Sequence, residues 1–174
     1  AIEKGRNIHN EIVAKGFLER NIVLGNALVD MYAKCGMLLT AERVLHKLPF
    51  RDVVSWNTLL ARYVEQGYGR KTLDHFEKMQ QERISLNSIT SVSILKACGN
   101  IGAINKGREI HDEISRRGFL KRSDEVGNAL VDMYAKCGML SKAQEVLEQL
   151  RARSIVSWSS LIAGYAQQGQ GQEA

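Results

Sequence analysis

NALVDMYAKCGML occupies Asn26–Leu38 and returns letter for letter at Asn128–Leu140, 102 positions later. Its flanks return with it. GRNIHNEI (Gly5–Ile12) is matched by GREIHDEI (Gly107–Ile114), KGF at Lys15 by RGF at Arg117, and VSW at Val54 by VSW at Val156, all at the same offset. A block copied so faithfully marks a repeat architecture, and the repeat must be settled before any single motif is read.

Glycines divide the block further. Gly36, Gly67, Gly102, Gly138 and Gly169 each close a helical apolar pattern, at intervals of 31, 35, 36 and 31 residues. Glycine tolerates the left-handed conformation that ends a helix, so each is a candidate for the residue just past a helix C-terminus. Five positions after each stands Ala41, Thr72, Gly107, Ala143 or Ala174, and Gly5 fits the series 36 before Ala41. Small side chains there let a second helix approach the first. The apolar residues Ala27, Leu28, Met31 and Tyr32 follow the helical period, as do Ala41, Val44, Leu45 and Leu48, then Trp56, Leu59, Leu60 and Tyr63, then Leu73, Phe76 and Met79. The unit is a helical hairpin of 31 to 36 residues. A hairpin this small cannot bury its apolar face alone, so the units must stack into an all-α solenoid.

Composition agrees. One proline (Pro49) and 6% aromatic residues count against an all-β chain, while 44% hydrophobic and 25% charged residues suit a globular one. The net charge of +5 and isoelectric point near 9.2 permit a polyanionic partner without requiring one. Three cysteines, with no C-x-x-C or C-x-x-H pair, argue against a zinc site and for a reducing compartment. No cofactor is expected, and no apolar run approaches the length of a membrane span. The chain opens at AIEKGRNIH, already inside a repeat, and so reads as a fragment without a targeting peptide.

Two families of helical hairpin fit the period, the tetratricopeptide and pentatricopeptide repeats. VVSWNTLLARYVEQG (Val53–Gly67), NSITSVSILKACGNIGAINKGREIHDEI (Asn87–Ile114) and VGNALVDMYAKCGMLSKAQEVLEQL (Val126–Leu150) decide between them. They resemble the pentatricopeptide repeat family, and within it the plant PLS subclass, in which P, L and S motifs alternate. The tetratricopeptide signature, with an early tryptophan and a closing proline in each unit, is absent. On that resemblance 1–21 is a partial L motif, 22–52 an S motif, 53–87 a P motif, 88–123 an L motif, 124–154 an S motif and 155–174 a partial P motif. Departures are small: Thr72 stands for the usual alanine, and KLPF and QLRA for the common MPER.

The resemblance implies a right-handed superhelical solenoid that binds single-stranded RNA, one base per repeat. The family reads bases with the fifth and last residues of each motif. Here these are Asn26 with Asp52, Asn57 with Asn87, Val92 with Ser123, and Asn128 with Ser154, while Ser159 has no partner in the chain. The second residues, Val23, Val54, Ile89 and Val156, would wedge between bases, and Glu125 is the acidic exception. An Asn amide offers a donor and an acceptor, and an Asp beside it accepts only, which orients the amide for uracil. With Asn or Ser as partner, cytosine is favoured and uracil tolerated; Val92 reads weakly and Ser159 leans to a purine. The expected element is 5′-U-(C/U)-N-C-(purine)-3′. Phosphate contacts are expected from Lys34, Arg62, Lys96 and Lys136.

PLS proteins are targeting arms of organellar RNA-editing or processing factors, which implies a chloroplast or mitochondrion. It also implies a cytidine deaminase domain elsewhere in the full-length protein or in trans, and multiple-organellar-editing-factor proteins as partners of L motifs. No H-x-E accompanied by P-C-x-x-C, the deaminase's zinc and proton-transfer residues, occurs, so no enzyme is expected. The alternative function is a protein-interaction scaffold.

Plainer readings stand beside these. Asn26 and Asn128 could be polar residues at a helix start, and Asp52 a helix cap. Trp56 and Trp158, on a stripe with Leu59 and Leu161, read as core. His9 and His111 read as packing, since Glu11 and Glu113 are only two residues away and on another face. Arg70–Arg83 reads as the solvated face of a second helix. Apolar ends are expected near Ile8 and Ile12 and near Leu161 and Tyr165.

Overall fold

The computed structural model describes residues 2–169. Among these, ten α-helices and two short 3-10 turns form the chain, with no strand. The helices are α1 (Ile2–Ala14), α2 (Ile22–Lys34), α3 (Leu38–Lys47), α4 (Val53–Glu65), α5 (Gly69–Gln81), α6 (Ser88–Ile101), α7 (Ile104–Arg117), α8 (Asp124–Lys136), α9 (Leu140–Gln149) and α10 (Ile155–Gln167). From α2 onward each even helix packs on the next even helix, making one continuous wall. Helices α3, α5, α7 and α9 form a second layer, each lying on the helix before it and the helix after it. The result is a solenoid of stacked hairpins.

The punctuating glycines end the first helices as their spacing requires. Gly36, Gly67, Gly102, Gly138 and Gly169 have φ between 66° and 79°. The Gly36 N–H donates to the Ala33 carbonyl and the Met37 N–H to the Tyr32 carbonyl at 2.9 Å. That pair of bonds satisfies the orphan carbonyls of α2 and turns the chain into α3. Ala41, Thr72, Gly107 and Ala143 are buried where the helices meet, and so is Gly5; Ala174 lies outside the described residues.

The repeated phrase is a docking code. A Cβ on Gly25 would come within 2.5 Å of the Leu48 side chain, and one on Gly127 within 2.5 Å of Leu150. Met31 and Met133 fill the spaces left by Gly5 and Gly107 in the preceding unit. The Tyr32 hydroxyl meets His9 Nδ1 at 2.9 Å, and Tyr134 meets His111 in the same way. So GRxIH and NALVDMYAKCG are halves of one interface, made twice, and the histidines serve packing. The tyrosine position recurs on every even helix from α2 to α10 except α6, where Cys98 stands: Tyr63 donates to Glu42 and Tyr165 to Gln144, each a residue of the preceding outer helix.

Trp56 is fully buried, but Trp158 is 46% exposed. This corrects the sequence reading, which put both in the core. Trp56 lies beside His46 and His75 and donates its indole N–H to Glu82. His75 lies on α5 and Glu82 at its end, in the outer layer of that hairpin, whereas among the described residues no second helix follows α10. The apolar ends also differ in detail. Ile8 is exposed, but Ile12 is half-buried, Leu161 is buried and Tyr165 is hydrogen-bonded; Ile155, Trp158 and Ile162 form the exposed end instead. In the charge run of α5, Thr72, His75, Phe76 and Met79 face the core and most of the charged residues face solvent. The cysteines are unpaired, with Cys98 buried, Cys137 half-buried and Cys35 exposed. No described helix is long and apolar enough to cross a membrane.

Candidate nucleic-acid interface

Each even helix from α2 to α10 begins just after a polar residue, in order Asn21, Asp52, Asn87, Ser123 and Ser154. Asp52 accepts the Ser55 N–H and Asn87 the Thr90 N–H, each completed as a capping box by the returning hydroxyl. Ser154 accepts the Ser157 N–H. Asn26, Asn57 and Asn128 are the fifth residues of α2, α4 and α8, inside their helices, so they do not cap them.

The cap of each following helix lies against the asparagine of the helix before it. Asn26 Nδ2 donates to Asp52 Oδ1 at 3.4 Å, while Asn26 Oδ1 accepts from the Ser55 hydroxyl at 2.5 Å. Asn57 Nδ2 donates to Asn87 Oδ1 at 3.2 Å, and its own Oδ1 accepts from the Thr90 hydroxyl at 2.6 Å. The oxygen of Asn87 faces inward because the Thr90 N–H holds it at 2.9 Å. Ser154 breaks the pattern. Its hydroxyl donates to Asn128 Oδ1 at 2.9 Å, and so does the Ser157 hydroxyl, leaving the Asn128 amide N–H groups unused. The third member of each triad, Ser55, Thr90 or Ser157, is fully buried. Sequence reasoning passed over it, although VSW–VSW marks two of the three.

Burial would raise the Asp52 pKa, but the Ser55 N–H and hydroxyl and the Asn26 amide outweigh it and hold the carboxyl below its ordinary value. Asn26 and Asn128 are half-buried, and Asn57 is 8% exposed. Val92 carries no polar group and packs partly buried against the core. Val126, at the position of Ser55 and Thr90 in the next unit, is fully buried. Ser123 turns away and donates to Glu125 Oε2 at 2.7 Å. Ser159 is exposed and donates to its own helix, to the Ile155 carbonyl.

The second residue of each even helix from α2 to α10 is exposed, and on four of these five helices it is aliphatic. Val23 is 71% exposed, Val54 54%, Ile89 61% and Val156 60%. Glu125 holds the same position on α8, between Ile89 and Val156 in the row, and is exposed. Four large apolar side chains held in water at the same helical position on successive helices need a reason outside the fold.

Models of the PPR repeat family match residues 51–100, and of the PPR repeat residues 26–53, 128–155 and 156–174. The chain belongs to the pentatricopeptide repeat family. A putative pentatricopeptide repeat-containing protein of Arabidopsis thaliana is 43% identical over 177 residues, covering 100% of this chain and 26% of the relative. A chloroplastic pentatricopeptide repeat-containing protein of the same plant is 34% identical over 174 residues, covering 100% of this chain and 28% of that one. The chain thus spans about a quarter of the length of these curated relatives. In structure it is similar to the pentatricopeptide repeat protein PPR10 in complex with an 18-nt psaJ RNA element. The TM-score is 0.73 at 21% identity, over 99% of this chain and 26% of that one, which shows the shared fold.

The PPR wall is less basic than the net charge suggests. Lys34 is bonded to Asp30 at 2.6 Å, Lys136 to Asp132 at 2.7 Å, and Arg62 to Glu65 at 2.7 Å with Asp30 at 4.0 Å. Lys96 is exposed. A phosphate would have to share or displace these carboxylates. The two H-x-E stretches are engaged elsewhere: His9 and His111 with tyrosines, Glu11 with Lys15 and Glu113 with Arg116 and Arg117.

Proposed function

We propose that this PPR array binds single-stranded RNA sequence-specifically, reading bases with the Asn26–Asp52, Asn57–Asn87 and Asn128–Ser154 pairs. The observation that carries the reading is the repeated triad. Three asparagines at one helical position are each gripped by the cap of the next helix, and three residues before Asn26 and Asn57, on the same helices, stand the exposed Val23 and Val54, which would separate stacked bases. An asparagine serving only to tie two helices together would not need those exposed aliphatic residues.

The triads refine the expected element. Asn26 and Asn57 each give one N–H and the carbonyl to their neighbours, keeping one N–H and one oxygen lone pair for a base. That presents a donor and an acceptor, the complement of uracil's O4 and N3–H. Asn128 keeps both N–H donors, which suit the N3 and O2 acceptors of cytosine. The element we assign is 5′-U-U/C-N-C-purine-3′, with Val92 non-selective and Ser159 leaning to a purine. Each well-made pair discriminates by about 1–3 kcal/mol, so three give modest specificity.

In the full-length protein this array serves as the targeting part of a PLS-type organellar editing or processing factor, in a chloroplast or a mitochondrion. The cytidine deaminase domain would be supplied by the rest of the chain or in trans. The L unit, 88–123, has an apolar Val92 and a Ser123 bonded to Glu125, and we assign it to contact with a multiple-organellar-editing-factor protein. Fluorescence anisotropy at fixed salt tests the proposal, with single-stranded RNA carrying the element, a scrambled RNA of the same composition, and the duplex. Tighter binding to the ordered single strand supports it. Equal affinity for all three, with tight binding to an editing factor, would make the array a protein scaffold.

A further inference from the structure

The outer layer holds a cluster that base reading does not use. Glu42 and His46 stand one turn apart on α3, and His75 reaches them from α5, the outer helix of the next hairpin. Glu42 Oε1 lies 3.7 Å from His46 Nε2, and Oε2 lies 3.7 Å from His75 Nε2. One donor atom from each of the three falls within 4.8 Å of the others.

His75 is 3% exposed, its ring 4.8 Å from the centroid of Tyr63 and 6.3 Å from that of Trp56. Among the described residues neither of its nitrogens is hydrogen-bonded. Nδ1 is buried without a partner, and Nε2 stands too far from the carboxylate for a hydrogen bond. Folded proteins keep few such idle polar groups, because leaving one buried is destabilising. Packing alone does not call for histidine, since a phenylalanine would fill the same space without an orphaned nitrogen.

We propose that Glu42, His46 and His75 form a site for one divalent transition-metal ion, zinc by preference, that staples the outer helices of two neighbouring repeats. Two imidazoles and a carboxylate suit zinc, with water in the fourth position. Tetrahedral zinc sets its donors about 3.3 Å apart. The cluster must therefore contract at both contacts: His46, exposed in the last turn of α3, closes on the carboxylate, and the Glu42 carboxylate swings towards the buried His75. The Tyr63 hydroxyl donates to Glu42 Oε2 at 3.0 Å and orients the carboxylate. Lys78 Nζ, 3.7 Å from Glu42 Oε1, occupies the carboxylate without metal and is displaced on binding. Sequence reading missed the site because Glu42 and His46 are one helical turn apart but His75 comes from the next unit.

The test is titration of the full chain with Zn2+ and Co2+, in a Trp158→Phe background so that Trp56 alone reports. Expected are one equivalent bound, a rise in the thermal midpoint of about 5 °C or more at saturating Zn2+, and quenching of Trp56 fluorescence by Co2+ that Zn2+ reverses. His46→Ala, at an exposed position, should fold and lose all three effects. His75→Phe should be at least as stable as the parent without metal and insensitive to it. Tyr63→Phe should weaken binding by about tenfold or more, and Lys78→Ala should tighten it. No midpoint shift, binding unchanged in His46→Ala, or a thiolate absorption band showing cobalt on a cysteine would each overturn the proposal.

Discussion

Ser55 has one hydroxyl proton and two oxygens within reach of it, Asn26 Oδ1 at 2.5 Å and Asp52 Oδ1 at 2.9 Å. That competition fixes the amide, and replacing Ser55 with alanine should release it. We expect Ser55→Ala to lose about 1 kcal/mol of stability in urea unfolding. The preference for uracil over cytosine opposite Asn26 should fall severalfold, with affinity for a scrambled RNA unchanged. Asp52 makes the same bond pH-dependent. Its folded-state pKa is depressed, so its contribution is present above the ordinary aspartate value and fades as the pH drops through the lower, folded value. Asp52→Asn should remove this acid-side loss, measurable as a flatter stability profile below about pH 4. Asp52→Ala should cost about 1 kcal/mol at neutral pH through the lost cap. Asn26→Ser is expected to move the first base preference from uracil towards guanine.

Two glycines of the α2–α3 hairpin show how the elements are made, and they fail for different reasons. Gly36 has φ of 75° and open space around its Cβ position, so Gly36→Ala strains only the backbone, by about 1 kcal/mol, and Gly36→Asn should recover part of it. Gly25 has ordinary helical geometry but would drive a Cβ to 2.5 Å from Leu48. Gly25→Ala should cost about 1–3 kcal/mol, and Leu48→Val in the same chain should restore much of it. Urea midpoints of the single and double variants measure both. The first kind of glycine was legible in the sequence, because its left-handed conformation and spacing declare a helix end. The second kind was not, because its reason is a side chain 23 residues away, just past the end of the next helix. The same distinction covers the site. Asn26, Asn57 and Asn128 could be singled out from period and resemblance, whereas Ser55, Thr90 and Ser157 and the cluster at His75 arise only when hairpins stack. Trp158 was misjudged because the stripe it shares with Leu161 says which way it faces and not whether a further helix covers it.

Across the whole array each unit touches only its neighbours, so stability should be graded along the chain. Hydrogen exchange is expected to be slowest in α4, α6 and α8, each packed between two other even helices, and faster in α1 and α10. The charge balance of the wall sets the salt response. Lys34, Arg62 and Lys136 already hold carboxylates, so few net phosphate contacts form. The slope of log affinity against log salt should be shallow, about 0.7 for each phosphate engaged. With the amides as base readers, as proposed, specificity should then outlast moderate salt. The most direct test is competition binding of the full chain with four RNAs that differ only in the base opposite Asn26 and Asp52. Uracil should bind tightest, by about fivefold or more over the purines, with the order changing in Asn26→Ser. Four equal affinities, or an order that Asn26→Ser leaves untouched, would contradict it.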